Sequence, residues 1–227
     1  MCRPRVPTME CKLGLIEGAD GSCELKRGES RAVAILQGPT QIGNEHEKVY
    51  RHVGFINFHA TNFHFDDPRP GNSLLYDLLE QCIDRAAYPR IEFVIHVNRE
   101  SVHNHGVDVL SFNAANLCLL DAAIRMNFYF VAILVAMLED KKTGNLDLEV
   151  DPEPERLVDA KSTFLFVFRP SSTESLLVGS CSHGRFTLNE AEEALELARG
   201  RCLNAVDFVR YRIRQKLQYG IELKSEV

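Results

Sequence analysis

Three groups of side chains in this 227-residue sequence have the types and spacing to do chemistry. The first is histidine. His103 and His105 stand two apart, and His59 lies close to His64. Two imidazoles at that spacing begin a metal site, but no cysteine or carboxylate beside them completes a ligand pattern, so they read as solvated loop histidines. His183-Gly184 reads as turn chemistry. The second group is Ser180-Cys181-Ser182-His183, a thiol near an imidazole. A nucleophile and its base are defined by geometry rather than adjacency, so the run does not make a catalytic pair. The third is the acidic run Asp147, Glu149, Asp151, Glu153, Glu155 and Asp159. Carboxylates crowded after a strand hold Mg²⁺ through one or two oxygens. The plainer reading is a solvated loop whose path Pro152 and Pro154 set. No glycine-rich phosphate loop is present, because Gly14, Gly18 and Gly21 have neither the dinucleotide nor the P-loop spacing.

Composition narrows the class. Hydrophobic residues make up 45% and charged residues 26%, an ordinary globular balance. The net charge of −6 argues against binding nucleic acid by bulk electrostatics, though not against binding as one subunit of a larger surface. Seven cysteines, none in a Cys-x-x-Cys pair, suit buried free thiols in a reducing compartment. Met1–Pro7 is polar and basic with no apolar stretch behind it, unlike a signal peptide. The apolar run 128–138 is short of the roughly 20 residues of a membrane helix. The expectation is a soluble intracellular protein with no membrane partner.

The elements that must position these groups can be read in order. Residues 1–9 read as a loose tail. Strands are expected at Glu10–Ile16, Ser22–Lys26 and Arg31–Gln37, a three-strand meander with Asp20-Gly21 in the first turn and Gly38-Pro39 as its stop. A fourth strand is expected within Val49–His59, then a surface loop over 61–72, an amphipathic helix over Ser73–Ala87 and an alternating strand Ile91–Val97. Residues 107–124, rich in Ala and Leu, predict a helix with little surface suited to water, which belongs in the middle of a domain. Phe128–Met137 predicts a strand buried on both faces. Three more strands follow at Leu146–Val150, Thr163–Phe168 and Ser175–Ser180. Thr187-Leu-Asn-Glu190 is a capping box opening a helix to about Leu217, with an inward stripe of Ala191, Leu195, Ala198, Cys202, Ala205, Val209, Ile213 and Leu217. Its basic residues lie largely off that stripe and, with Glu192, Glu193 and Glu196 among them, read as a solvated face. One domain over 10–219, with a tail at 220–227, is the expected organisation.

Six pieces in this order carry a resemblance: Ala19-Asp20-Gly21-Ser22, Gln37-Gly38-Pro39, Tyr88-Pro89-Arg90, Asn113-Ala114-Ala115, Leu120-Asp121-Ala122 and Val150-Asp151-Pro152. Together they resemble the RNase PH family, and within it the ring subunits of the eukaryotic RNA exosome, of the exosome component 5 type. The resemblance implies an α+β RNase PH-like fold (ribosomal protein S5 domain 2-like), with mixed sheets, a buried central helix and a long C-terminal helix. It implies partners too: other RNase PH-like subunits in a hexameric ring, RNA-binding cap subunits, and RNA threading through the ring. Residence in the nucleus and nucleolus and also the cytoplasm follows, as do roles in rRNA maturation and RNA turnover.

Departures from the family pattern bear on activity. Active relatives place two glycines, a hydroxyl residue and an arginine at the start of the central helix, where N–H groups and a guanidinium hold the attacking phosphate. Here the positions read His105-Gly106-Val107-Asp108; Val107 offers no side-chain donor and the Asp108 carboxylate repels phosphate. Active relatives also carry two aspartates six apart in the acidic stretch, matched in part by Glu153 and Asp159. The loop after the fourth strand resembles the RNA-facing part of the ring and offers Arg69 beside Asp66 and Asp67, a weak grip. The expectation is a non-catalytic ring subunit with a degenerate phosphate pocket at Gly106, Val107 and Asp108, and with no metal or cofactor. The rival is an active phosphorolytic exoribonuclease, or a metal-dependent homodimeric nuclease, using Glu153 and Asp159.

Overall fold

The computed structural model describes residues 9–43, 52–62, 65–66, 70–100, 108–139, 146–171 and 174–225. The expected meander opens it: β1 (Glu10–Leu13), β2 (Gly21–Arg27) and β3 (Ser30–Gln41) pair antiparallel in sequence order. β3 does not stop at Gly38-Pro39. A bulge lets the strand skip the proline, which has no N–H to give, and pairing resumes from Thr40 to Gln41. β4 (Phe55–Asn62) runs parallel to β6 (Ile91–Glu100), and α1 (Pro70–Cys82) makes the crossover between them. β5 (Phe65–Asp66) pairs with the end of β4 where the composition suggests only loop. The first sheet therefore has the order β1-β2-β3-β6-β4-β5.

α1 starts earlier and ends earlier than its apolar stripe suggests. Proline is tolerated in a first turn, where its missing N–H would have no partner. The end is set by tertiary pairing: Ile83 bridges Met126, and the Asp84 N–H donates to the Arg125 carbonyl at 3.0 Å.

The second sheet is antiparallel throughout, in the order β10-β9-β7-β8. Its strands are β7 (Val131–Glu139), β8 (Leu146–Val150), β9 (Ala160–Arg169) and β10 (Leu176–Gly184). β7 is buried from Val131 through Leu138, as a strand covered on both faces must be.

Helix α2 (Val109–Asp121) packs against β2, β3 and β6 of one sheet, against β7 of the other, and against α3 (Leu188–Ser225). Ten of its thirteen residues are buried. It shows no single apolar stripe because nearly every side meets protein. Its close approach to β2 depends on Gly21, where a Cβ would lie 2.5 Å from the Cys118 carbonyl oxygen. It ends in paired N–H bonds, Ala123 to the Leu120 carbonyl and Ile124 to the Leu119 carbonyl, with Ala123 at φ +54°. Glycine is the usual residue in that left-handed position.

The capping box of α3 is present as expected. Thr187 N–H donates to Glu190 Oε2 at 2.5 Å, and Glu190 N–H donates to Thr187 Oγ1 at 3.4 Å. The helix continues past Leu217 to Ser225, into the segment expected as a tail. Its buried positions are Ala194, Ala198, Cys202, Val206 and Val209, whereas Leu217 is 61% exposed. The inward stripe fails at that end for a geometric reason. Thirty-eight helical residues span about 57 Å, about twice the length of the nine-residue β7. Past Val209 the last turns of α3 overrun the sheet beneath it.

The six landmark pieces prove to be joints between elements. Asp20 Oδ2 accepts from the Gly38 N–H at 2.7 Å, tying the first landmark to the second. Asp121 Oδ2 accepts from the Ser22 N–H at 3.1 Å, and Asp121 also pairs with Lys216 on α3. The Tyr88 hydroxyl accepts from the Arg125 N–H at 2.9 Å. Asn113 brackets Ala132 of β7, its amide donating to the carbonyl and its oxygen accepting from the N–H, each at 2.9 Å. Asp151 is bound to Arg27 at the end of β2. Each of these side chains serves the fold as a joint, whatever chemistry the chain performs.

Candidate functional site

The N-terminus of α2 is built from Asp108. Its φ of −113° and ψ of 97° are extended, the ordinary conformation of a helix cap. Its carboxylate accepts from the Leu110 N–H at 3.0 Å and from the Ser111 hydroxyl at 2.7 Å. A helix N-terminus is an anion site because its first N–H groups lack partners inside the helix. Here an internal anion already takes that place. A phosphate would have to displace a covalently tethered carboxylate or share the site with its charge.

The sequence reading missed Arg99. The expected strand stops at Val97, but β6 runs on to Glu100, and Phe93, Ile95 and Val97 all point into the core. Two more residues of the same alternation turn Arg99 inward, where it is buried at 6% exposure. Burial pulls its guanidinium below the ordinary arginine range, and the charge of Asp108 opposes that shift. A buried cation on β6 thus lies within electrostatic reach of the Asp108 cap. Extending the alternation past Val97 would have found it.

The acidic run is dispersed by the backbone. Asp147 and Glu149 lie on β8, and Glu149 forms an ion pair with Arg156. Asp151, at φ +48°, turns inward, where its Oδ1 accepts from the Leu134 N–H at 3.3 Å. The buried Arg27 guanidinium donates to the Asp151 carbonyl, and its Nη1 stands 3.7 Å from Oδ1. Burial pushes the Asp151 carboxyl above the ordinary carboxylate range, more than Arg27 and Arg201 pull it down. Glu153 and Asp159 bracket the 3-10 turn Pro154–Asp159 and are both exposed. Among the described residues no three His, Cys, Asp or Glu side chains come together to share a metal ion. Beside Asp151 lies a cavity of about 420 Å³ between α2 and α3, with Arg27, Asn113, Arg201 and Asn204 as its polar lining and Phe208 among its apolar walls.

Gly106, Val107 and Arg69 lie outside the described residues, as do His64, His103 and His105. His59 stacks on His96 of the neighbouring strand, with centroids 4.9 Å apart. Burial, aided by His59, lowers His96 below the usual imidazole value. Cys181 lies on β10, and burial pushes its thiol up, the opposite of an activated nucleophile. Cys23, Cys82, Cys118 and Cys202 are buried free thiols, with Cys82 pushed up to about 12 by burial.

Comparison with known proteins gives this geometry its family. Over 228 residues the chain is 24% identical to the exosome complex component Rrp41 of Archaeoglobus fulgidus, covering 95% of this chain and 85% of that protein. It is 29% identical over 139 residues to the Rrp41 component of Pyrobaculum aerophilum, 56% of each chain. The crystal structure of rice Rrp46 superposes with a TM-score of 0.79 at 18% identity, covering 92% of this chain and 95% of that one. That likeness confirms the expected RNase PH-like α+β fold. Residues 6–125, more than half of the chain, match the model of the 3′ exoribonuclease family, domain 1. The chain belongs to that family, the RNase PH family.

Proposed function

We propose that this chain is a ring subunit of the RNA exosome core, of the exosome component 5 type, and that it scaffolds and threads RNA without cutting it. In this reading it supports 3′-to-5′ RNA processing and turnover, rRNA maturation included, by handing RNA to a separate nuclease. Its partners are other RNase PH-like subunits in a hexameric ring and the RNA-binding cap subunits, in the nucleus, nucleolus and cytoplasm. Similarity to Rrp41 components along nearly the whole chain supports ring membership. The observation that carries the non-catalytic part is the α2 N-terminus, where the Asp108 carboxylate holds Leu110 N–H and Ser111 Oγ beside the buried Arg99. Phosphorolysis needs an anion pocket and an acid together, and in this reading the Asp108 carboxylate takes the place of the anion.

Native mass spectrometry of the tagged protein, purified gently from its own cells, tests the assembly. The expected result is a large complex containing several different RNase PH-like subunits and RNA-binding subunits. A homodimer free of such partners would overturn the ring assignment.

A further inference from the structure

A second surface feature lies where the first turns of α3 run beside β8. Leu146, Leu148 and Leu197 form the floor of a groove there, and Asp147, Glu192, Glu193 and Glu196 form its rim. Leu146 and Leu197 keep 42% and 43% of their surface exposed, unusual for leucines that sit together. Among the described residues no lysine or arginine lines the groove. Glu196 is engaged by Arg199 at 3.3 Å, while Asp147, Glu192 and Glu193 have no ion pair among the described residues. β8 is also the terminal strand of its sheet among those residues, pairing only with β7, so one row of its backbone N–H and C=O groups faces outward. An open strand edge is a template for a further strand.

We propose that this groove docks an extended basic segment of a partner protein, one that alternates lysine or arginine with leucine-like residues. The segment adds to the free edge of β8. Its apolar side chains cover Leu146, Leu148 and Leu197, and its cations meet the carboxylates of the rim. Charge chooses among the possible occupants. RNA is a polyanion and is repelled by the rim. A second copy of this chain carries a net charge of −6 and gains little from an acidic surface. A basic segment satisfies the edge, the floor and the rim at once, and opposite charge also speeds its encounter.

The test titrates the full chain into a short fluorescent peptide alternating lysine and leucine, followed by anisotropy. Saturable binding that weakens as salt is added is expected. The double substitution Glu192→Lys/Glu193→Lys, on the exposed face of α3, should weaken it about tenfold or more, and Glu192→Gln/Glu193→Gln by an intermediate factor. Leu197→Ala should weaken it severalfold, and N-methylation of alternate peptide bonds in the probe should abolish it. Circular dichroism establishes that each variant keeps its helix content. The proposal is overturned if the charge-reversed chain binds equally well, or if a glutamate-leucine peptide binds as tightly. It is also overturned if sedimentation shows self-association that these same substitutions remove, since a second copy would then be the occupant.

Discussion

The two helices α2 and α3 begin alike and are used differently. Each is capped by its own side chains, α2 by Asp108 and α3 by the Thr187–Glu190 box. At the start of α3 such a cap is ordinary, because the end is exposed and only has to be satisfied. At the start of α2 the same device places a carboxylate on the first turn, and the proposed function takes that to be where a phosphate would otherwise sit. Elsewhere the contrast reverses. α2 is buried on nearly every side, while α3 leaves a long outer face exposed. The buried helix begins on an internal carboxylate, and the exposed helix borders the groove proposed above as a docking surface.

The largest expected effect separates the two helices by burial. Leu117→Ala in α2 removes a fully buried side chain and should lower stability by about 2–5 kcal/mol. Leu203→Ala in α3, where the leucine is 66% exposed, should stay within about 0.5 kcal/mol. Chemical denaturation measures both, and equal losses would break the comparison. Backbone changes come next. Gly21→Ala places a Cβ against α2 and should cost about 1–3 kcal/mol. Gly200→Ala, inside α3 with nothing within 4 Å of the new Cβ, should raise the melting temperature through a gain of about 0.5–1 kcal/mol. Removing the cap by Asp108→Ala should cost about 1 kcal/mol, and Asp108→Asn should recover much of that.

The smallest effect is in pH, where Glu190 on α3 and Asp151, beside the cavity between α2 and α3, should respond with opposite sign. Glu190 is held below the ordinary glutamate range by the Thr187 N–H and hydroxyl. Its contribution is therefore present above the unfolded-state value and lost as pH falls through the lower, folded one. Asp151 is raised by burial, so its contribution is present below the unfolded-state value and lost as pH rises through the folded one. With 37% of the Asp151 side chain still exposed, solvent screens the effect. Melting temperatures across acid to neutral pH should show Glu190→Gln and Asp151→Asn flattening opposite legs of the profile; the same leg for both would refute the pairing.

Much of this was legible in the sequence, for identifiable reasons. The Ala- and Leu-rich run 107–124 could only be a buried helix, and the unbroken apolar run of β7 could only be an inner strand. The capping box placed the start of α3 to the residue. Element ends were less legible where tertiary structure decides them. α1 stops at Cys82 because Ile83 pairs with Met126, and α3 runs on because nothing near Leu217 ends it. The site was half legible. Asp108 could be read as a carboxylate hostile to phosphate, but its bonds to Leu110 and Ser111 needed the fold. Arg99 was hidden by a strand read as too short. The acidic run could not be resolved from spacing, because a left-handed residue at Asp151 and an ion pair between Glu149 and Arg156 send its members different ways.

The central claim is that the capped end of α2 leaves this chain without a phosphorolytic site. The direct measurement is release of nucleoside diphosphates from single-stranded RNA by the purified chain, with inorganic phosphate and Mg²⁺ supplied, beside an Asp159→Asn variant. The account predicts no phosphate-dependent release above background and no difference between the two proteins. Release that saturates with phosphate and disappears in Asp159→Asn would contradict it and make this chain a working nuclease.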